Sequence, residues 1–193
     1  GSFITEGLEK AVPESARKLL ISNVKDEDNH DLALGYIANA LGVDEKAERE
    51  ALRLRDAWVS HPDHTVVKAL VAERAIFFVL LPFNRFNGDA GLRTVSADIS
   101  RDEQIHVACN SLVCSELGLT WSQSLDKLRK ATIQWIMEPL GRNTEDKYLD
   151  RKFWTDSSDR LMYEGKAPEL SQTKNARMPA FFEHANTNLP KYA

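Results

Sequence analysis

The pattern Glu-x-x-His occurs twice in this chain, as Glu27-x-x-His30 and Glu103-x-x-His106, each inside a stretch whose apolar residues recur at helical spacing. A third carboxylate, Glu73, interrupts a stretch that is apolar around most of its circumference (Val66, Val67, Leu70, Val71, Ile76, Phe77, Phe78, Leu80). Residues three apart share one face of a helix, so each Glu and His can aim at a common point between helices. Charges buried there without partners would be strongly destabilising. The fold must therefore bring three helices together around something that offsets their negative charge. A dinuclear metal centre does this, because two hard-to-borderline cations bind carboxylate oxygens and imidazole nitrogens together.

The rest of the sequence reads as helices that could deliver these groups. Leu20, Val24, Glu27, Asp31, Leu34 and Leu41 form one stripe of a helix over residues 13–41, with Pro13 in its first turn and Gly42 at its end. A shorter helix follows from Asp44, which can cap it, and stops before Ser60-His61-Pro62. The apolar helix spans 63–81 and is broken by Pro82 and then Asn87-Gly88-Asp89. The next spans 96–117, with Ile99, Ile105, Cys109, Leu112 and Val113 as core residues, and closes at Gly118. Residues 122–138 form another, ended by Pro139 and Gly141. Beyond Gly141 the pattern loses contrast, with a helix over 147–162 and an irregular tail over 165–193. No strand alternation persists, so the expected fold class is all-α, a single domain over residues 1–193. Glu73 lies about nine residues before the end of its helix and Glu103 about seven after the start of the next, both roughly 10–14 Å deep at 1.5 Å per residue. Antiparallel neighbours joined there place the two carboxylates at one level.

Composition narrows the function classes. With 193 residues and 42% apolar side chains the chain can fill one core. The 25 Lys+Arg against 29 Asp+Glu leave a net charge of -4, which gives no electrostatic reason to expect a nucleic acid or an acidic membrane as partner. The longest apolar run, 75–83, is about half of what a bilayer requires, so no membrane span is expected. The two cysteines, Cys109 and Cys114, fall five apart on one helix and read as core thiols of a reducing, cytoplasmic compartment.

Four stretches together resemble the ribonucleotide reductase small subunit, a ferritin-like dimetal-carboxylate family: VAERAIFF at 71–78, DISRDEQIH at 98–106, DRLM at 159–162 and AFFE at 180–183. They thread residues 13–183 in the family's order. The resemblance implies a ferritin-like helical bundle in which Glu27, His30, Glu73, Glu103 and His106 ligate two metal ions per chain, as Fe/Fe, Mn/Fe or Mn/Mn. It also implies that Asp102 hydrogen-bonds a ligand histidine, His30, and that Phe77, Phe78 and Leu34 wall the cavity beside the metals.

The departures from that family are equally specific. The position of its radical-bearing tyrosine, four residues after the first ligand histidine, is Leu34, and Tyr36 points about 200° around the helix from there. Such centres also draw a carboxylate from a helix preceding the first Glu-x-x-His. Because Glu27 lies about fourteen residues into its helix, an antiparallel partner at equal depth would fall before residue 1, so either that carboxylate belongs to a preceding helix or the site is incomplete, with Glu6 or Glu9 as a less favourably placed substitute. The sequence runs about ten residues past Phe182, so the long tail that docks the large subunit in that family is either missing or lies beyond it, and Tyr192 is a candidate radical-transfer residue.

The expected function is therefore that of a small subunit using two metals and O2 to generate the oxidant with which a separate large subunit starts ribonucleotide reduction, with a homodimer expected by resemblance. Two alternatives stand beside it. One is a stand-alone dimetal oxidase or oxygenase acting on an apolar substrate, with Leu34 vacating space at the metals. The other is a degenerate, non-catalytic family member.

Overall fold

A computed structural model describes residues 12–170. Helix α1, Glu14–Leu41, begins after Pro13 and ends at Gly42, whose φ of 79° favours glycine. Asp44 caps α2, Glu45–Ser60, by accepting from the Ala47 N–H. Helix α3, Thr65–Ala72, is capped by the His64 ring and runs without interruption into a π-helical turn, Glu73–Phe77, and then α4, Phe78–Asn87. Helix α5, Ala90–Glu116, and α6, Gln123–Ile136, are capped by Asp89 and Ser122. A short 3-10 turn, Lys147–Leu149, leads to α7, Arg151–Tyr163. The described residues contain no strand, only an isolated bridge between Gly141 and Asp150, so the fold is all-α. No helix among them is long and apolar enough to cross a membrane.

Two expectations about these elements are corrected. Pro82 does not end its helix, which continues to Asn87. A proline clashes with the carbonyl four residues earlier. Here that residue is Phe78, where the π turn closes with a ψ of 0°, so its carbonyl is rotated away from the helix direction. Helix α5 starts at Ala90 rather than near 96, because the Asp89 carboxylate takes the Leu92 N–H and converts the Asn-Gly-Asp break into a cap. Of the expected irregular tail, residues 165–170 are described, and Leu170 among them is buried against Val79, Phe86 and Trp154.

Helix α5 is the central element, packing on α1, α3, α4 and the π turn, while α7 covers the π turn and α4 from the other side. Leu20, Val67, Val71, Ile76 and Val113 form one apolar cluster between α1, α3 and α5; Val79, Phe86, Ile133, Met137 and Trp154 form a second under α7. Cys109 and Cys114 are buried and unbridged. Ile105 and Leu112, expected in the core, are instead 60% and 52% exposed. The buried stripe of α5 runs through Glu103, His106, Asn110 and Val113, and Ile105 and Leu112 stand about 120–140° from its centre. Likewise none of residues 31–41 is buried, so the stripe of α1 loses its cover after His30 and leaves Leu34 and Leu41 exposed.

Candidate metal centre

Glu27 and His30 come from the middle of α1, Glu103 and His106 from the middle of α5, and Glu73 from the first residue of the π turn. All five are buried although each is ionisable. Glu27, Glu73, Glu103 and His106 each offer a ligating atom, and these atoms lie within 4.8 Å of one another. His30 completes the group from the far side of Glu103: its Nδ1 is 3.3 Å from Glu103 Oε1, while Glu103 Oε2 is 3.6 Å from His106 Nδ1. Glu103 thus faces both imidazoles, whose ring centroids are 5.9 Å apart. His106 Nδ1 also lies 3.2 Å from Glu27 Oε1.

The outward-facing ring nitrogens are fixed by a reciprocal pair of aspartates. His30 Nε2 on α1 donates to Asp102 on α5 at 3.0 Å, and His106 Nε2 on α5 donates to Asp26 on α1 at 3.3 Å. Each bond keeps a proton on Nε2 and aims Nδ1 at the carboxylates, so that Nδ1 is the atom that would bind a cation once it gives up its own proton. Asp102 therefore bonds His30, the partner that the family resemblance implies. Asp26 was not foreseen, although its signal is plain: Asp-Glu-x-x-His occurs twice, at 26–30 and 102–106. Asn110, one turn after His106, was also missed; its Nδ2 donates to Glu73 Oε2 at 2.7 Å.

Glu103 Oε2 and His106 Nδ1 are buried without a hydrogen-bond partner, on residues only 1% and 0% exposed. Such atoms are costly in a protein interior unless something binds them. The electrostatics point the same way. Burial, reinforced by repulsion from Glu103, pushes the Glu73 carboxyl up to about 8 against the Asn110 hydrogen bond. Burial alone would lower His106, but its contacts with Glu103 and Glu27 prevail and push it up to about 10. His30 is also raised, Glu103 and Asp102 outweighing its burial, and Glu27 is lowered against its burial, the His106 contact being the largest of the opposing effects. The cluster attracts positive charge strongly enough to hold protons where it lacks cations. A donor set of three carboxylates and two imidazoles with ordered outer partners fits hard-to-borderline metal ions.

Two predictions arise here. Asp26→Asn and Asp102→Asn should each weaken metal affinity by about 10–100-fold, the usual effect of losing a histidine's outer partner, as read by competition with a chelating dye. In the metal-free protein, stability contributed by Glu73 is present below its ordinary value of 4.5 and lost as pH rises to about 8, and that from His106 is present below 6.5 and lost through about 10. Thermal melting of metal-free protein should therefore fall steadily from pH 5 to 10; a flat profile would remove the proton-holding picture.

Other expected site residues lie differently. Leu34 and Phe77 are 40% and 38% exposed, so the structure places them at the surface rather than around an enclosed cavity; Phe78 is half-buried. Leu34 shares the ligand face of α1 but stands about two turns beyond Glu27, on the uncovered part of the helix. Tyr36 is 68% exposed. Glu6, Glu9, Tyr192 and the stretch 180–183 lie outside the described residues. No family model, curated protein or solved structure matches this chain.

Proposed function

We propose that this protein is a dimetal-carboxylate oxidoreductase of ferritin-like architecture, acting as a ribonucleotide reductase small subunit. The observation that carries the reading is the group Glu27, Glu73, Glu103 and His106 within 4.8 Å, joined to His30 through Glu103 and tied outward by two aspartates across α1 and α5. When bound, two Fe or Mn ions would supply O2 activation and storage of the oxidising equivalent for a large catalytic subunit. The chain's own part is to bind and orient. Glu73 and His106 would hold one ion and His30 a second, with Glu103 placed between the two imidazoles to serve either, while the Asp–His pairs orient the rings. The two positions are unequal. Among the described residues the Glu73–His106 side has its full complement of groups, whereas the His30 side has His30 and the shared carboxylates.

Anaerobic loading with Fe(II) or Mn(II), followed by O2 and electron paramagnetic resonance, tests the metal part. Addition of a reductase large subunit and assay of deoxyribonucleotide formation tests the partner. Uptake of about two ions with an O2-dependent signal and large-subunit turnover supports the whole reading, and absence of metal uptake overturns it.

A stand-alone oxidase of an apolar substrate is favoured by one feature, a cleft of about 240 Å³ lined by Val67, Leu70, Arg74, Cys114, Leu119 and Trp121. Leu70 and Arg74 flank Glu73 in sequence, so the cleft opens beside the turn that carries a candidate ligand. O2-dependent oxidation of a hydrocarbon without a large subunit would select this reading.

A further inference from the structure

The π turn that presents Glu73 is held from outside by a buried polar chain that the metal reading does not use. Ser158 on α7 is fully buried, and its Oγ donates to the Ala75 carbonyl at 2.6 Å, two residues past Glu73 and within the same turn. The same Oγ accepts from Arg129 Nη1 at 2.8 Å. Arg129, on α6, is also fully buried, and its guanidinium is fixed by Asp126 and Asp159, each at 2.7 Å from Nη2. Asp126 in turn accepts from the Tyr163 hydroxyl, so the anchor reaches the surface. A second tie runs beside it: Arg74 Nε donates to the Leu161 carbonyl at 2.7 Å. That guanidinium lies against Gly165, where an added Cβ would come within 2.5 Å of Arg74 Nη2.

A buried arginine is retained only where its charge and donors are matched, and this one is matched by a network that ends on a backbone carbonyl of the π turn. A π turn is a register defect within a helix, so its side chains keep their direction only if the backbone is fixed from elsewhere. We propose that Ser158, oriented by Arg129, is a positioning residue that fixes the π turn and so sets where the Glu73 carboxylate points. Asn110 holds the tip of that side chain from α5, and Ser158 holds its root from α7. The proposal rests on the metal reading of Glu73.

The test uses the full chain with Co(II) as probe, whose visible absorption reports ligand geometry. Ser158→Ala should weaken Co(II) binding about tenfold, shift the visible band, and speed amide exchange across residues 73–79. Trp58→Phe serves as control, because it removes another buried side-chain hydrogen bond, from Trp58 Nε1 to Thr132 Oγ1, that is no part of the chain from Arg129 through Ser158 to the turn. It should lower the thermal midpoint while leaving the cobalt affinity and band at wild-type values. If Ser158→Ala does not fold, Arg129→Lys, which keeps the charge but loses the fork, is expected to give the same cobalt changes. A Ser158→Ala protein with wild-type affinity and band, or a Trp58→Phe protein with the same cobalt changes, overturns the positioning role alone. Failure of the wild-type chain to take up cobalt overturns the metal reading and the positioning role with it.

Discussion

Glu103→Ala is expected to strip the protein of metal, lowering the content after anaerobic Fe(II) or Mn(II) loading to below about a tenth of wild type. The size of the effect follows from geometry: the two oxygens of this one carboxylate face His30 and His106 separately. Its removal would therefore damage both proposed ion positions at once. Helical content should survive, because alanine is the best helix former and the substitution adds no bulk to the middle of α5. Metal analysis beside far-ultraviolet circular dichroism reads both quantities. Unchanged metal content in a folded variant would remove the site assignment.

The two histidines should separate the ion positions. His106→Ala takes one group from the complete set of four, so it should abolish tight binding, an effect larger than the roughly 10–100-fold loss expected for an outer partner. His30→Ala removes a ring that contacts the set only through Glu103, so one ion should still bind with near wild-type affinity while the second is lost. Titration by isothermal calorimetry under argon distinguishes the outcomes. Equal losses from both variants would contradict the inequality of the two positions. Complete loss from His30→Ala would reverse it.

How much of this could be read from residues alone depends on which physical signal carried it. The carboxylates and His106 were legible because spacing fixes the face of a helix, and a charge on an apolar face has few uses. Helix starts and ends were less so: the Asn-Gly-Asp turn before α5 reads as a break, yet its aspartate is a cap that begins the helix six residues earlier than the apolar pattern does. Pro82 reads as a break because its tolerance depends on the π turn ahead of it, which no residue pattern marks. Ile105 and Leu112 were assigned to the core on hydrophobicity, whereas their angular position on α5 already sets them opposite Glu103. The exposure of Leu34 could not be read at all, since its stripe is continuous with Glu27 and the loss of cover after His30 depends on which helix lies opposite. Ser158 and Arg129 carried no sequence signal, because a carbonyl acceptor has no residue type.

The crossed aspartate–histidine pairs have a mechanical consequence. Each pair links α1 to α5 in the opposite sense, so the two together act as a vernier. Sliding α1 by one helical turn, about 5.4 Å, would uncouple both at once, since neither aspartate has a second histidine one turn away. Grease alone would tolerate such a slip, because Leu20 and Val24 could trade neighbours along α5. Alignment of these two rods is therefore keyed by ionic groups, and whatever neutralises the key should free α1 to shift before the other helices loosen.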